Sequence, residues 1–180
     1  MKILVTYFSQ SGNTKKVAEA IHEAIPFQKE LKQVSDINDV SPYDLLFVGF
    51  PIQVFGPADQ GKDFMNAYCQ NKPVALFITH AVPDTFEDLP LWIERCKEPV
   101  PETNVMGIFD CQGEVSADLI SFAQASDDPV LQKLGEIGPT AKGQPNAIQL
   151  ERARSFAEEI VDRFSQSRTT PNKGLSCSKA

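Results

Sequence analysis

The sequence predicts an α/β protein built as a three-layer sandwich, in which a five-stranded parallel sheet is covered by helices on both faces. Apolar runs and helix-period stretches alternate along the chain, as they do where parallel strands are joined by helical crossovers. Several of the runs are continuously apolar rather than alternating, the pattern of strands buried on both sides. With 180 residues, 42% of them apolar, the chain can bury one sizeable core but not two comfortable domains. One domain is expected over residues 1–165, followed by a polar, flexible tail over 166–180.

The elements follow in order. "KILVTYF" is the first strand, and "KKVAEAIHEAI" places Val17, Ile21, Ala24 and Ile25 at helical spacing before Pro26 stops it. "FQKELKQV" is a weaker strand, and a loop through Ser41 and Pro42 leads to "YDLLFVGF", a fully buried one. A short helix over residues 58–70 carries Phe64, Met65 and Tyr68, and "PVALFIT" repeats the buried-strand pattern. Helical spacing returns at Phe86, Leu89, Trp92, Ile93 and Cys96, which reads as a core-facing stripe; "TNVMGIFDC" is the fifth strand. The mixed region from Gln112 to Gln149 reads as one short helix among Gly and Pro breaks. The final helix sets Ala153, Phe156, Ala157, Ile160, Val161 and Phe164 on one face.

Charge and cysteine usage narrow the function classes. A net charge of -7 disfavours a nucleic-acid or anionic-membrane partner. No window approaches a membrane span or the order of a signal peptide, so a cytoplasmic location is expected. Cys69, Cys96, Cys111 and Cys177 are far apart with no CxxC, which argues against a zinc site or a disulfide framework. No metal ligand set and no catalytic residue is identified. The acidic group Asp84, Glu87 and Asp88 reads as a solvated helix start.

The informative stretch is "YFSQSGNTKK", between the first strand and the first helix. Ligands of open parallel sheets bind at the strand C-termini. Here hydroxyls can donate, backbone amides can converge at Gly12, and a helix starting near Thr14 aims its dipole into the loop. About six charge-assisted hydrogen bonds at roughly 1.5–3 kcal/mol each would supply much of the ~12 kcal/mol of nanomolar binding. The same letters also suit a tight turn with Asn13 or Thr14 as a helix cap.

"TYFSQSGNT" resembles the phosphate loop of the flavodoxin family, and the order and size of elements resemble it over residues 2–164. A second segment, "GFPIQVFGPA", resembles the family's loop against the flavin ring. The resemblance implies a flavodoxin-like sheet of order 2-1-3-4-5 and FMN as cofactor. It implies that Ser9, Gln10, Ser11, Gly12, Asn13 and Thr14 cradle the phosphate, and that Pro51, Ile52, Gln53, Val54, Phe55 and Gly56 pass one face of the ring. Thr79, His80 and Ala81 open the third contact segment. The loop lacks the GxxxxGK[ST] of a P-loop and the GxGxxG of a dinucleotide fold, which favours a mononucleotide.

The departures matter as well. Flavodoxins proper stack aromatic residues on both ring faces, whereas Gln53 and "HAVPD" offer neither. Phe55 is left to cover one face, and His80 to hydrogen-bond the ring or its ribityl chain. Cys111, Gln112 and Gly113 end the fifth strand where they could meet the ring rim or a substrate. Gly56 is expected to supply the backbone freedom of the ring loop, limited by Pro57 after it. Three functions follow: an electron carrier docking a redox partner through a basic patch on that partner; an FMN-dependent NAD(P)H oxidoreductase, or the flavin module of a reductase acting on a flat organic acceptor; and a scaffold domain without FMN.

Overall fold

The computed structural model describes residues 1–169. Its strands are β1 (Lys2–Tyr7), β2 (Gln28–Gln33), β3 (Leu45–Gln53), β4 (Gly56–Pro57), β5 (Val74–His80) and β6 (Val105–Gln112). Its α-helices are α1 (Asn13–Ala24), α2 (Asp59–Tyr68), α3 (Leu89–Lys97), α4 (Ala117–Gln124), α5 (Pro129–Ile137) and α6 (Ala147–Thr169). Five strands pair in parallel in the order β2-β1-β3-β5-β6, with β4 hydrogen-bonded antiparallel to β3 outside that path. Counting the parallel strands alone, this is the expected 2-1-3-4-5 order. Val5 of β1 sits between Leu31 of β2 and Phe47 of β3, and Phe77 of β5 lies beside Gly49 and Phe109.

The alternating pleat divides the core in two. Ile3, Val5, Phe47 and Phe77 face Val17 and Ile21 of α1 and Ala157, Ile160 and Val161 of α6. Leu4, Leu46, Val48, Leu76 and Ile78 face the other way, onto Phe64 and Met65 of α2 and Cys96 of α3. Both faces are therefore covered, which explains why β3 and β5 read as unbroken apolar runs. Among the described residues, no helix is long and apolar enough to cross a membrane.

Strand β2 read weakly because it is a polar edge. Lys2, Lys32 and the Tyr43 hydroxyl converge on the Glu30 carboxylate, at 2.6, 2.5 and 2.8 Å. Hydrogen bonds from these three hold the Glu30 carboxyl at about 2, below its ordinary 4.5. A charged edge also blocks pairing with a foreign strand.

Three expectations about elements change. The segment after "YDLLFVGF" is not a free loop: β3 continues through Pro51, Ile52 and Gln53 and turns back into β4. The region from Gln112 to Gln149 holds two α-helices rather than one, α4 and α5, tied where Gln124 Nε2 donates to the Gly135 carbonyl at 3.1 Å. The last helix runs past Ser165 to Thr169, with Arg168 paired to Asp44 at 2.6 Å. Residues 170–180 of the expected tail, Cys177 included, lie outside the described residues.

Candidate functional site

The strand C-termini converge on the loop between β1 and α1. Gly12 occupies the N-cap position with φ 88°, a left-handed conformation that suits glycine, and a Cβ there would meet nothing within 4 Å. No side chain caps the first amides of α1, and no acidic residue stands in its first turn. Those amides and the positive end of the helix dipole are left for a ligand. The cap expected of Asn13 or Thr14 is absent because both side chains are used elsewhere.

Asn13 Nδ2 donates to Ser11 Oγ at 3.0 Å and to the Glu114 carbonyl at 2.9 Å, tying the loop to the end of β6. Gly113 leaves room for this, since a Cβ on it would come within 2.7 Å of Asn13 Nδ2. The Thr14 and Thr79 hydroxyls share a buried 2.8 Å bond. One of the two must donate, so the other keeps its proton for a further acceptor. Ser9 Oγ accepts from the Gly12 amide at 3.1 Å, and Gln10 Oε1 from Gln53 Nε2 at 2.6 Å. Gln10, Ser11, Asn13, Thr14, Pro51, Ile52, Thr79, His80 and Ala81 line one cavity of about 400 Å³, closed on the far side by residues 113–116 and Leu119. Ser9 and Gly12 shape the loop at its rim.

The remaining expected ring contacts fall on the β3–β4 hairpin. Its two-residue tip is Val54–Phe55, with φ 47° and 65°. Tips with positive φ at both positions are usually Asn-Gly; on a β-branched and an aromatic residue they carry strain. Gly56, expected to provide the freedom, is in β4 and has no positive φ. Val54 is 92% exposed. Phe55 stacks obliquely on Trp92 (centroids 5.2 Å apart), and Trp92 in turn on Phe86 (5.1 Å).

Trp92 is therefore not the core residue its spacing implied. Of the stripe Phe86, Leu89, Trp92, Ile93 and Cys96, only Leu89 and Cys96 are buried. Trp92 lines a second cavity, of about 540 Å³, between the hairpin tip, α3 and α5. It shares Ile52, His80 and Ala81 with the first. Phe86, Trp92, Arg95 and the α5 residues Leu131, Lys133 and Leu134 were missed as site residues. The only signal for them was the excess of aromatics before and within α3.

His80 does not reach out as expected. It is 4% exposed; Nδ1 donates to the Val82 carbonyl at 2.8 Å, and Nε2 faces Asp110 Oδ2 at 3.1 Å. Its role is to lock the β5–β6 edge beneath both cavities. Asp84 brings a third ligand-type atom to His80 and Asp110, all within 4.8 Å, and lies 3.8 Å from Arg152. Of the three residues ending β6, Cys111 is fully buried in the core and its thiol is pushed up to about 12, chiefly by that burial. Gln112 Nε2 donates to the Ala81 carbonyl at 3.0 Å, and Gly113 alone reaches a cavity wall.

Comparisons agree with this architecture. The model of the family described as "Flavodoxin domain" matches residues 4–158. The flavodoxin-like domain-containing protein BilS of Clostridioides difficile (strain CD3) is 32% identical over 172 residues, covering 89% of this chain and 97% of that protein. A flavodoxin from the domain Archaea superposes with a TM-score of 0.55 at 16% identity, over 92% of this chain and 99% of its own. Oxidised flavodoxin 2 from Bacillus cereus does so with 0.53 at 16% identity, over 91% and 99%. The chain belongs to the flavodoxin domain family.

Proposed function

We propose that the protein binds FMN and works as a redox protein that passes electrons to or from a partner. The observation that carries this is the uncapped start of α1, beside a left-handed Gly12 and the hydroxyls of Ser9, Ser11 and Thr14. An anion fits there. Glu114, the one charged residue lining that cavity, turns its carboxylate to the Gly143 amide at 3.2 Å. Amides and hydroxyls at a helix N-terminus hold a phosphate dianion without a resident cation. Pro51 and Ile52 would bound the flavin on one side, and Thr79 to Ala81 below. Bound there, FMN supplies a ring that accepts and donates electrons one or two at a time.

A net charge of -7 favours a partner with a basic docking patch, drawn in by long-range attraction. With cytochrome c as a basic probe partner, the flavin-loaded, dithionite-reduced protein should react fastest at low ionic strength, because screening shortens the reach of the field to ~8 Å at 0.15 M salt. A rate indifferent to salt in stopped-flow contradicts electrostatic docking.

The apolar cavity walled by Phe55, Phe86 and Trp92 favours a second reading, an FMN-dependent NAD(P)H oxidoreductase or the flavin module of a reductase for a flat organic acceptor. Steady oxidation of NADPH by the purified protein, with no reductase added, selects this reading over the carrier. Protein that is colourless after incubation with excess FMN and removal of the free flavin by gel filtration excludes both and leaves a scaffold role.

A further inference from the structure

We propose that His80, Asp84 and Asp110 form a binding site for a divalent transition-metal cation of the Zn²⁺ class, at the open edge of the sheet. Together they offer one imidazole nitrogen and two carboxylate oxygens, all within 4.8 Å of one another. The three come from separate places in the chain. His80 ends β5, Asp110 lies on the edge strand β6, and Asp84 is in the connection from β5 to α3. Neither carboxylate lines either of the two cavities described above, so the site does not rest on the flavin reading.

The orientation of His80 carries the inference. Its Nδ1 lies 2.8 Å from the Val82 carbonyl, which can only accept, so Nδ1 holds the ring proton. Nε2 then presents a lone pair, and at 3.1 Å it meets Asp110 Oδ2, another acceptor. Two acceptors at that distance repel unless positive charge joins them, either a second proton on the ring or a metal ion. At 4% exposure the ring has little water to relieve the contact. Histidines that bind metals are fixed in this way, donating the other ring N–H to a backbone carbonyl or carboxylate. Asp84 separates the two cases. A proton needs only Asp110, whereas a second carboxylate gives a cation three corners of a tetrahedron and leaves the fourth to water. Ligand atoms each ~2.1 Å from a tetrahedral ion stand ~3.4 Å apart, close to the spacing His80 and Asp110 already have, and the exposed Asp84 side chain can turn in to close the set. An imidazole among the ligands favours a transition-metal ion over Mg²⁺ or Ca²⁺, which take oxygen. The competing group is Arg152 of α6, 3.8 Å from Asp84 and 57% exposed. A surface pair of that kind contributes little, so the carboxylate is released at small cost. Ligation then pins the connection from β5 to α3 onto β6.

The test is calorimetric titration of the chelator-treated full chain with ZnCl₂, joined to a long-range ¹H–¹⁵N spectrum of the imidazole rings. Zn²⁺ should bind 1:1 and shift His80 Nε2. The chain has one other histidine, His22, and the His22→Gln variant assigns the two rings. Asp84→Asn and Asp110→Asn should each weaken Zn²⁺ by at least about tenfold, the lower end of what even an outer-shell partner contributes. Asp84 is exposed, so its variant keeps the fold and decides the matter should Asp110→Asn fail to fold. Arg152→Gln frees Asp84 and should tighten Zn²⁺ by about two- to fivefold, a gain that a purely structural role for these residues would not produce. Absence of Zn²⁺ binding in the parent chain overturns the proposal. So does binding that both aspartate variants retain unchanged, or a Zn²⁺-induced shift confined to His22.

Discussion

The two loops that frame the site solve the same backbone problem in opposite ways. At the β1–α1 loop the left-handed residue is Gly12, which adopts φ 88° at no steric cost. At the β3–β4 hairpin the left-handed residues are Val54 and Phe55, while the adjacent glycine is extended into β4. The first loop is relaxed and tied down by Asn13 and by the Thr14–Thr79 bond. The second holds strain that the Phe55–Trp92 contact must offset. A relaxed cradle suits a permanently held phosphate. A strained tip over an open cavity suits a segment that changes conformation when its neighbour changes, since strain lowers the barrier to leaving one arrangement for another.

The sharpest way to break this comparison is to put the same side chain on each glycine. Gly12→Val should cost about 1–3 kcal/mol of stability from forced left-handed backbone. Gly56→Val, which a Cβ enters without meeting any atom within 4 Å, should stay within about 0.5 kcal/mol. Urea midpoints that shift equally for the two would mean that the loops do not differ as described.

Next in size is relief at the tip. Val54→Gly removes the β-branched strain at an almost fully exposed position and should raise stability by about 1 kcal/mol. Phe55→Gly relieves a similar strain but forfeits an aromatic contact of about 0.5–1.5 kcal/mol, so it should come out near neutral. Thermal unfolding of the two variants side by side checks the sign; a loss in Val54→Gly would show that the tip is not strained.

The smallest effect is a control remote from both loops. Glu30 is held at about 2 in the folded state against an ordinary 4.5. A depressed carboxyl contributes stability that is complete above about 4.5 and disappears as pH falls towards 2. Glu30→Gln should flatten the acid limb of the stability profile in that window and leave FMN binding at neutral pH unchanged. An unaltered acid limb would refute the polar cluster as its source.

The parallel strands and the glycine loop at the β1–α1 corner were legible because each depends on local pattern, whereas the strand order came with the family resemblance. Unbroken apolar runs mark doubly covered strands, and a glycine among hydroxyls at a strand-to-helix corner marks a left-handed loop that leaves the first helix amides uncapped. The far half of the site was not. Helices α4 and α5 are eight and nine residues long, too short for periodicity to stand out among Gly and Pro. The turn at Val54–Phe55 runs against every local preference of those residues, so only tertiary contacts could reveal it. Trp92 shares its helical stripe with Leu89 and Cys96, yet it lines a cavity together with residues of α5, and spacing alone cannot distinguish a core from a cavity wall.

The central claim is that the Ser9–Thr14 loop holds the phosphate of FMN. Calorimetric titration of cofactor-stripped protein with FMN and with riboflavin, in the parent chain and in Ser11→Ala and Thr14→Ala, tests it most directly. FMN should bind 1:1 and weaken by about tenfold or more in each variant, with riboflavin affinity unchanged within about twofold. Equal losses for the two ligands, or parent protein that binds riboflavin as tightly as FMN, would contradict it.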